Sequence, residues 1–174
     1  MGEKLRSRIE MTTDEVALLL EQSRTCTMAT VGPDGTPHLV AMWYALIDGR
    51  VWLESKAKAQ KIVNLRRNDR LSVMVEAGNT YETLRGVALE GRGVVSDDPE
   101  ALWRVGVNVW ERYHGPYTDE FKPFVEAMLH KRVAVRLDVG RTRSWDHRKL
   151  AMGPTDAGGT TGPHLDGPGL PGPG

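Results

Sequence analysis

The sequence predicts a mainly β, α+β fold: six antiparallel strands rolled into a barrel, with flanking helices that fill its ends. Three observations predict it. Short strand patterns are joined by tight turn signals, the strongest being Asp48-Gly49. Gly86, Gly91 and Gly93 fall inside one long strand pattern, where a barrel needs bulges or bends at its corners. Helical patterns do not alternate regularly with the strands, which disfavours a parallel Rossmann-type sheet.

The elements follow in order. Thr12 and Glu15 have capping-box spacing and open a helix whose apolar stripe is Val16, Leu19 and Leu20, ending near Ser23. Residues 25–31 form a first strand, Gly32-Pro33-Asp34-Gly35 a turn, and residues 37–47 one long second strand. After Asp48-Gly49 comes a third strand at 50–54. The period then changes to three or four through Lys58, Lys61, Asn64 and Leu65, giving a helix closed by Arg66-Arg67, where positive charge suits the helix dipole. Residues 71–77 alternate as a fourth strand, and 81–96 form a long fifth. Asp97-Asp98-Pro99 caps a helix carrying Leu102, Trp103, Val107 and Trp110, which Tyr113-His114-Gly115-Pro116 breaks. A further helix from about Glu120 to His130 leads to a last strand at 132–139.

Three segments result: an N-terminal arm at 1–11, one domain at 12–151, and a tail at 152–174. The tail is Gly, Pro, Thr and Asp with almost nothing apolar, and is expected to be disordered. Lys plus Arg equals Asp plus Glu at 23 each, so no overall field exists to hold nucleic acid or an anionic membrane. Any anion site must be local. The polar N-terminus has no signal-peptide pattern and no run approaches membrane-spanning length, so a cytoplasmic location is expected. Cys26 is the only cysteine, sits in an apolar run and has no nearby His or Lys to activate it. The five histidines lack metal-ligand spacing, and no nucleophile-elbow motif appears, so neither a metal centre nor cofactor-free hydrolysis is expected.

The most informative segment is the junction between the third strand and the next helix, which carries Ser55, Lys56, Lys58 and Lys61. Free amides at a helix N-terminus bind anions, and lysines add full charge. A phosphate site and an ordinary solvated helix face both fit these residues. The second strand, with Val40 and Met42 on one face and Leu39, Ala41 and Trp43 on the other, is apolar on both sides. One face belongs in the barrel. The other is covered by the chain's own helices, a second subunit or a planar ring. His38, Tyr44 and His147 are candidate proton donors, with no side chain singled out as catalytic.

The succession Pro37-His38, Met42-Trp43-Tyr44, Asp48-Gly49, then Lys61-x-x-Asn64-Leu65-Arg66-Arg67-Asn68-Asp69-Arg70-Leu71-Ser72-Val73 resembles the B-type flavin/deazaflavin-dependent oxidoreductases of the pyridoxamine 5'-phosphate oxidase-like superfamily. The resemblance spans about residues 12–150. It implies a split β-barrel and a homodimer, with FMN or the deazaflavin coenzyme F-420 held between subunits. Lys61 matches that family's phosphate-binding lysine and Asn64-Leu65 the dipeptide after it. Ser55, Lys56 and Lys58 fall on the approach loop, and Val40, Ala41, Met42 and Trp43 match positions that line the ring. The implied activity is hydride transfer between cofactor and a small organic substrate. The alternative is a non-catalytic flavin, deazaflavin or haem carrier or sensor on the same barrel. Pyridoxamine 5'-phosphate oxidase itself has an Arg and a Lys on this strand, where Val40 and Ala45 stand here. Its C-terminal arginine motif survives at most in Arg141, Arg143 and Arg148, so the resemblance does not extend to vitamin B6 oxidation. Loops near 78–82 and 113–120 are expected to set the substrate.

Overall fold

The computed structural model describes residues 5–153. Most of the segment expected to be a disordered tail, from residue 154 onward, lies outside the described residues. Within them the chain forms a short helical turn α1 (Leu5–Arg8), helix α2 (Thr13–Gln22), strands β1 (Thr25–Val31), β2 (Pro37–Trp43), β3 (Ala45–Ile47) and β4 (Arg50–Lys56), helix α3 (Gln60–Arg67), strands β5 (Arg70–Ala77) and β6 (Arg85–Ser96), helices α4 (Pro99–His114) and α5 (Lys122–Leu129), and strand β7 (Arg132–Asp146).

The Thr12 capping box forms as read. Thr12 Oγ1 accepts the Glu15 amide at 3.2 Å, and Glu15 Oε2 accepts the Thr12 amide at 2.7 Å. Asp98 caps α4 with Pro99 at its first position. At Asp48-Gly49 both residues take positive φ, 52° and 70°, the backbone twist that a tight hairpin requires.

The strands make one antiparallel sheet in the order β2-β1-β5-β6-β7-β4-β3. It has seven strands rather than six, and the difference is one residue. The expected strand 37–47 is interrupted at Tyr44. Before the interruption it pairs with β1 (Trp43 opposite Thr25); after it, with β4 (Ala45 opposite Trp52). The two ends of the sheet are therefore contiguous in sequence, so the sheet curls until its edges meet at Tyr44. The interruption has a physical anchor. The Tyr44 amide donates to Tyr113 Oη at 3.2 Å instead of to a strand. Its own hydroxyl is buried and donates to the Leu20 carbonyl at 2.6 Å and the Ser23 carbonyl at 3.1 Å. The next free edge amide, Leu46, donates to Asn108 Oδ1 of α4. Helix side chains thus satisfy the edge that would otherwise be open.

Two further strands are longer than expected. β4 runs on to Lys56, and β7 runs to Asp146 rather than stopping at Val139. The extra length of β7 pairs with the first half of β6, across a register shift between Glu90 and Gly91. Gly91 is needed there: a Cβ would lie 2.0 Å from the Asp138 carbonyl oxygen.

The barrel core includes Met28, Leu53, Leu71, Val73, Val87 and Val135, with Ile62 and Leu65 of α3 entering it from one end and Leu19 and Leu20 of α2 from the other. A smaller cluster of Ala45, Val105, Val109 and Ala134 fixes α4 on the outside of β3, β4 and β7. Each fully buried Val, Leu, Ile or Met side chain among these contributes roughly 1.5–3 kcal/mol.

Candidate functional site

β4 pairs with β3 only through Arg50, Val51 and Trp52; from Leu53 to Lys56 it keeps β7 on one side and has no strand on the other. The chain then turns, with the Ala59 amide on the Lys56 carbonyl, and α3 begins. Ala59 at the cap position has no side chain able to accept a hydrogen bond. The Ile62 and Val63 amides both go to the Ala59 carbonyl, which leaves Gln60 and Lys61 as the uncapped amides of the first turn. Lys61 Nζ donates to Ser55 Oγ at 3.3 Å. This set fits an anion: two amides, an ammonium and a hydroxyl, with no carboxylate bound to any of them among the described residues.

The other predicted cradle residues lie as follows. Lys56 turns away, its Nζ donating to the His130 carbonyl at 2.6 Å. Lys58 is exposed beside the turn. Asn64 is 1% exposed; its Oδ1 accepts from Gln60 and its Nδ2 donates to Thr30 Oγ1 at 3.1 Å, so it holds α3 on β1. Next to Ser55, Glu54 is buried and accepts from Arg132 at 2.6 Å. Burial raises its pKa, against the opposing fields of Arg132, Lys56 and Lys61.

A second candidate surface is the outer face of β2. A strand shows alternate side chains to each face, and here Ala41 and Trp43 point outward with Leu39, while Val40 and Met42 turn toward the core. Leu39 is 63% exposed and Trp43 is 46% exposed. Of the four predicted ring-lining residues, the structure brings Ala41 and Trp43 to this surface; Val40 and Met42 pack against the core instead. Two residues that the sequence places at the start of the loop near 113–120, expected to set the substrate, belong here as well. Tyr113 stacks on Trp43 with centroids 4.1 Å apart and planes 13° from parallel. His114 lies 6.0 Å from Trp43 at a steep interplanar angle of 69°, and 4.5 Å from Trp110. The sequence marks both as a helix end and the start of a substrate-setting loop; their stacking against Trp43 is a contact with a distant strand that no local pattern shows.

The three proton-donor candidates fare differently. The Tyr44 side chain is 0% exposed with its hydroxyl committed to two carbonyls, and burial raises its pKa, so it does not face a ligand. His147 Nδ1 lies 2.8 Å from the Tyr81 carbonyl. His38 keeps a buried Nδ1 with no hydrogen-bond partner among the described residues.

A cavity of about 760 Å³ is elsewhere. It lies between α2, the β3–β4 turn and β7, and none of the predicted cofactor residues lines it. Its walls are mainly apolar, and its one arginine, Arg50, is paired with Asp138. Cavity size and anion chemistry therefore point to different places, and the chemistry carries more weight for a phosphorylated ligand. Among the described residues no three His, Cys, Asp or Glu side chains converge as a metal site requires, and no helix is long and apolar enough to cross a membrane.

A curled antiparallel sheet whose edges meet at an interrupted strand, with a short helix entering the fork, defines the split β-barrel class. The chain belongs to the pyridoxamine 5'-phosphate oxidase family, whose model matches residues 12–146. Among solved structures, a conserved hypothetical protein of Mycobacterium tuberculosis, Rv2991, is 59% identical, with a TM-score of 0.86 over 90% of this chain and 98% of that one. An F420 reductase is 25% identical, with a TM-score of 0.59 over 75% of this chain and 98% of that one. The haem storage protein HutZ of Vibrio cholerae shares the fold at 17% identity and a TM-score of 0.59, covering 74% and 90% of the two chains. No curated protein matches the sequence.

Proposed function

We propose that the chain is an oxidoreductase of the B type within this superfamily, transferring a hydride between bound coenzyme F-420 or FMN and a small organic substrate. It works as a homodimer in the cytoplasm. The observation that carries this reading is the pairing of Lys61 and Ser55 beside the uncapped first turn of α3. It gives a local anion site in a chain of zero net charge. The similarity to an F420 reductase supports the cofactor class. When bound, the flavin or deazaflavin supplies the hydride chemistry. The chain's part is to hold and shield it. Lys61, Ser55 and the Gln60 and Lys61 amides hold the phosphate, Lys58 adds positive charge on approach, and Ala41 and Trp43 face the ring. The uncovered apolar face of β2 suits a second copy of the chain, which would close the groove over the ring and exclude water.

The test is a binding titration of FMN and F-420 against wild type and Lys61→Ala. A lost charge-assisted contact of about 1.5–3 kcal/mol weakens either cofactor on the order of tenfold to a hundredfold, with the fold retained. Unchanged affinity in the variant would remove the phosphate from this cradle. Failure of wild type to bind either cofactor would remove the oxidoreductase reading. A Soret band on titration with haem would instead support the carrier or sensor alternative. Light scattering of the purified protein tests the dimer, and a strictly monomeric chain would overturn it.

A further inference from the structure

We infer that Tyr113 is a positioning residue for the ring site. It holds the Trp43 indole as a pre-set floor on which a planar, electron-poor heteroaromatic ring stacks, in the order Tyr113–Trp43–ligand. The inference rests on the cofactor reading above and adds the residue and the mode of recognition.

Two contacts carry it. The Tyr113 ring covers one face of the Trp43 indole at 4.1 Å and 13°. Its hydroxyl accepts the Tyr44 amide at 3.2 Å, at the residue where β2 ends and β3 begins. The same side chain therefore fixes both the backbone next to Trp43 and the plane of its ring. Arg112, one residue earlier on α4, fixes that helix end in turn, donating to the Leu20 and Ser23 carbonyls at 3.1 and 2.8 Å. Its guanidinium lies 4.8 Å over the Tyr44 ring. His114 lies 6.0 Å from Trp43 with its ring 69° from the indole plane, too steep to stack on it. Trp43 stays 46% exposed despite both contacts. An indole stacked on one side and still half-exposed is pre-organised for stacking. Its π-rich surface favours an electron-poor partner.

The experiment compares wild type, Tyr113→Phe, Tyr113→Leu and Trp43→Phe. FMN and riboflavin are titrated into each, and the absorbance to the red of the oxidised flavin band is recorded. Wild type should show an indole–flavin charge-transfer shoulder, and Trp43→Phe should lose it. Tyr113→Leu should lose or diminish it and weaken FMN and riboflavin by the same factor, about two- to tenfold. The FMN-to-riboflavin affinity ratio, which reports the Lys61 cradle, should stay constant. Tyr113→Phe should keep the shoulder, because it keeps the ring. It should also speed hydrogen exchange at the Tyr44 amide, a readout that needs no ligand. An unchanged shoulder and affinity in Tyr113→Leu, or unchanged Tyr44 exchange in Tyr113→Phe, overturns the inference. If FMN binding still depends on Lys61, the function proposed above survives that result. Wild type that binds neither flavin nor F-420 sinks both.

Discussion

Asn64 is the residue whose removal most directly tests how α3 is held against the barrel. It is 1% exposed, and Thr30, which receives its Nδ2 at 3.1 Å, is 2% exposed. Asn64→Leu keeps a similar volume and removes both ends of the amide. The lost Asn64–Thr30 bond accounts for about 1 kcal/mol net, and the stranded Thr30 hydroxyl adds about 1–3 kcal/mol. Gln60, the other partner, is exposed and can turn to water. The sum is about 2–4 kcal/mol. With a urea slope of about 2 kcal/mol/M for a domain of this size, the midpoint should fall by about 1–2 M. Thr30→Val strands the Asn64 amide and should cost a similar amount. The double variant has no polar group left to strand, so it should be more stable than the two single losses added together, by about 1–3 kcal/mol. Urea melts of the four proteins complete the cycle. Strict additivity would show that the buried pair does not act as a unit, and the account of α3 docking would fail with it.

Three other outcomes follow from single residues. Burial raises the Glu54 pKa, so the native state binds that proton more tightly than the unfolded chain does. The stability of wild type relative to Glu54→Gln should therefore decline as pH rises through and above the ordinary glutamate range of about 4.3; thermal melts across that range that show the opposite slope would refute it. Cys26 is 4% exposed and burial pushes its thiol up to about 12, so a thiol reagent at about pH 8 should react only as the protein opens, with prompt stoichiometric labelling of the native protein as the contrary result. Gly91→Ala should cost ~3 kcal/mol, since its Cβ meets a backbone oxygen at 2.0 Å, whereas Gly140→Ala, whose nearest neighbour is at 3.8 Å, should be close to neutral in the same urea melts.

Much of the fold is visible in the residues because local rules and tertiary demands agree there. The capping box at Thr12, the Asp48-Gly49 turn and the alternation of Leu71, Val73 and Val75 all do in the structure what their local chemistry favours. The second half of β7 was not legible. Its residues, Gly140 to Ser144, carry no apolar alternation, because that stretch faces the N-terminal arm and solvent and is held by the β6 ladder instead. Packing there comes from contacts far apart in sequence, such as the Met11 amide on Ser144 Oγ at 3.0 Å and the Asp146 amide on the Ile9 carbonyl. The candidate site divides the same way. Lys61 and Ser55 are six residues apart and readable as one junction. Trp43 and Tyr113 come together only through the docking of α4, and no local pattern encodes that.

The interruption at Tyr44 is where fold and site become one problem. Continued past Ala45–Trp52, the β3–β4 register would set Trp43 opposite Glu54 and Met42 opposite Ser55. A strand in that position would occupy the edge of β4 from Leu53 to Lys56. The sheet would close there, and α3 could not bring Ile62 and Leu65 into the core from that side. Instead Tyr44 drops into the core, gives its amide to Tyr113, and sends β2 across to β1. That single departure opens the fork that α3 enters, places Lys61 against Ser55, and leaves Ala41 and Trp43 on an uncovered face. An apolar sequence alternating through Met42, Trp43, Tyr44 and Ala45 gives no local reason to stop a strand. The reason is tertiary, a buried hydroxyl with two carbonyls and an amide with a distant phenol, and the proposed cofactor site exists because of it.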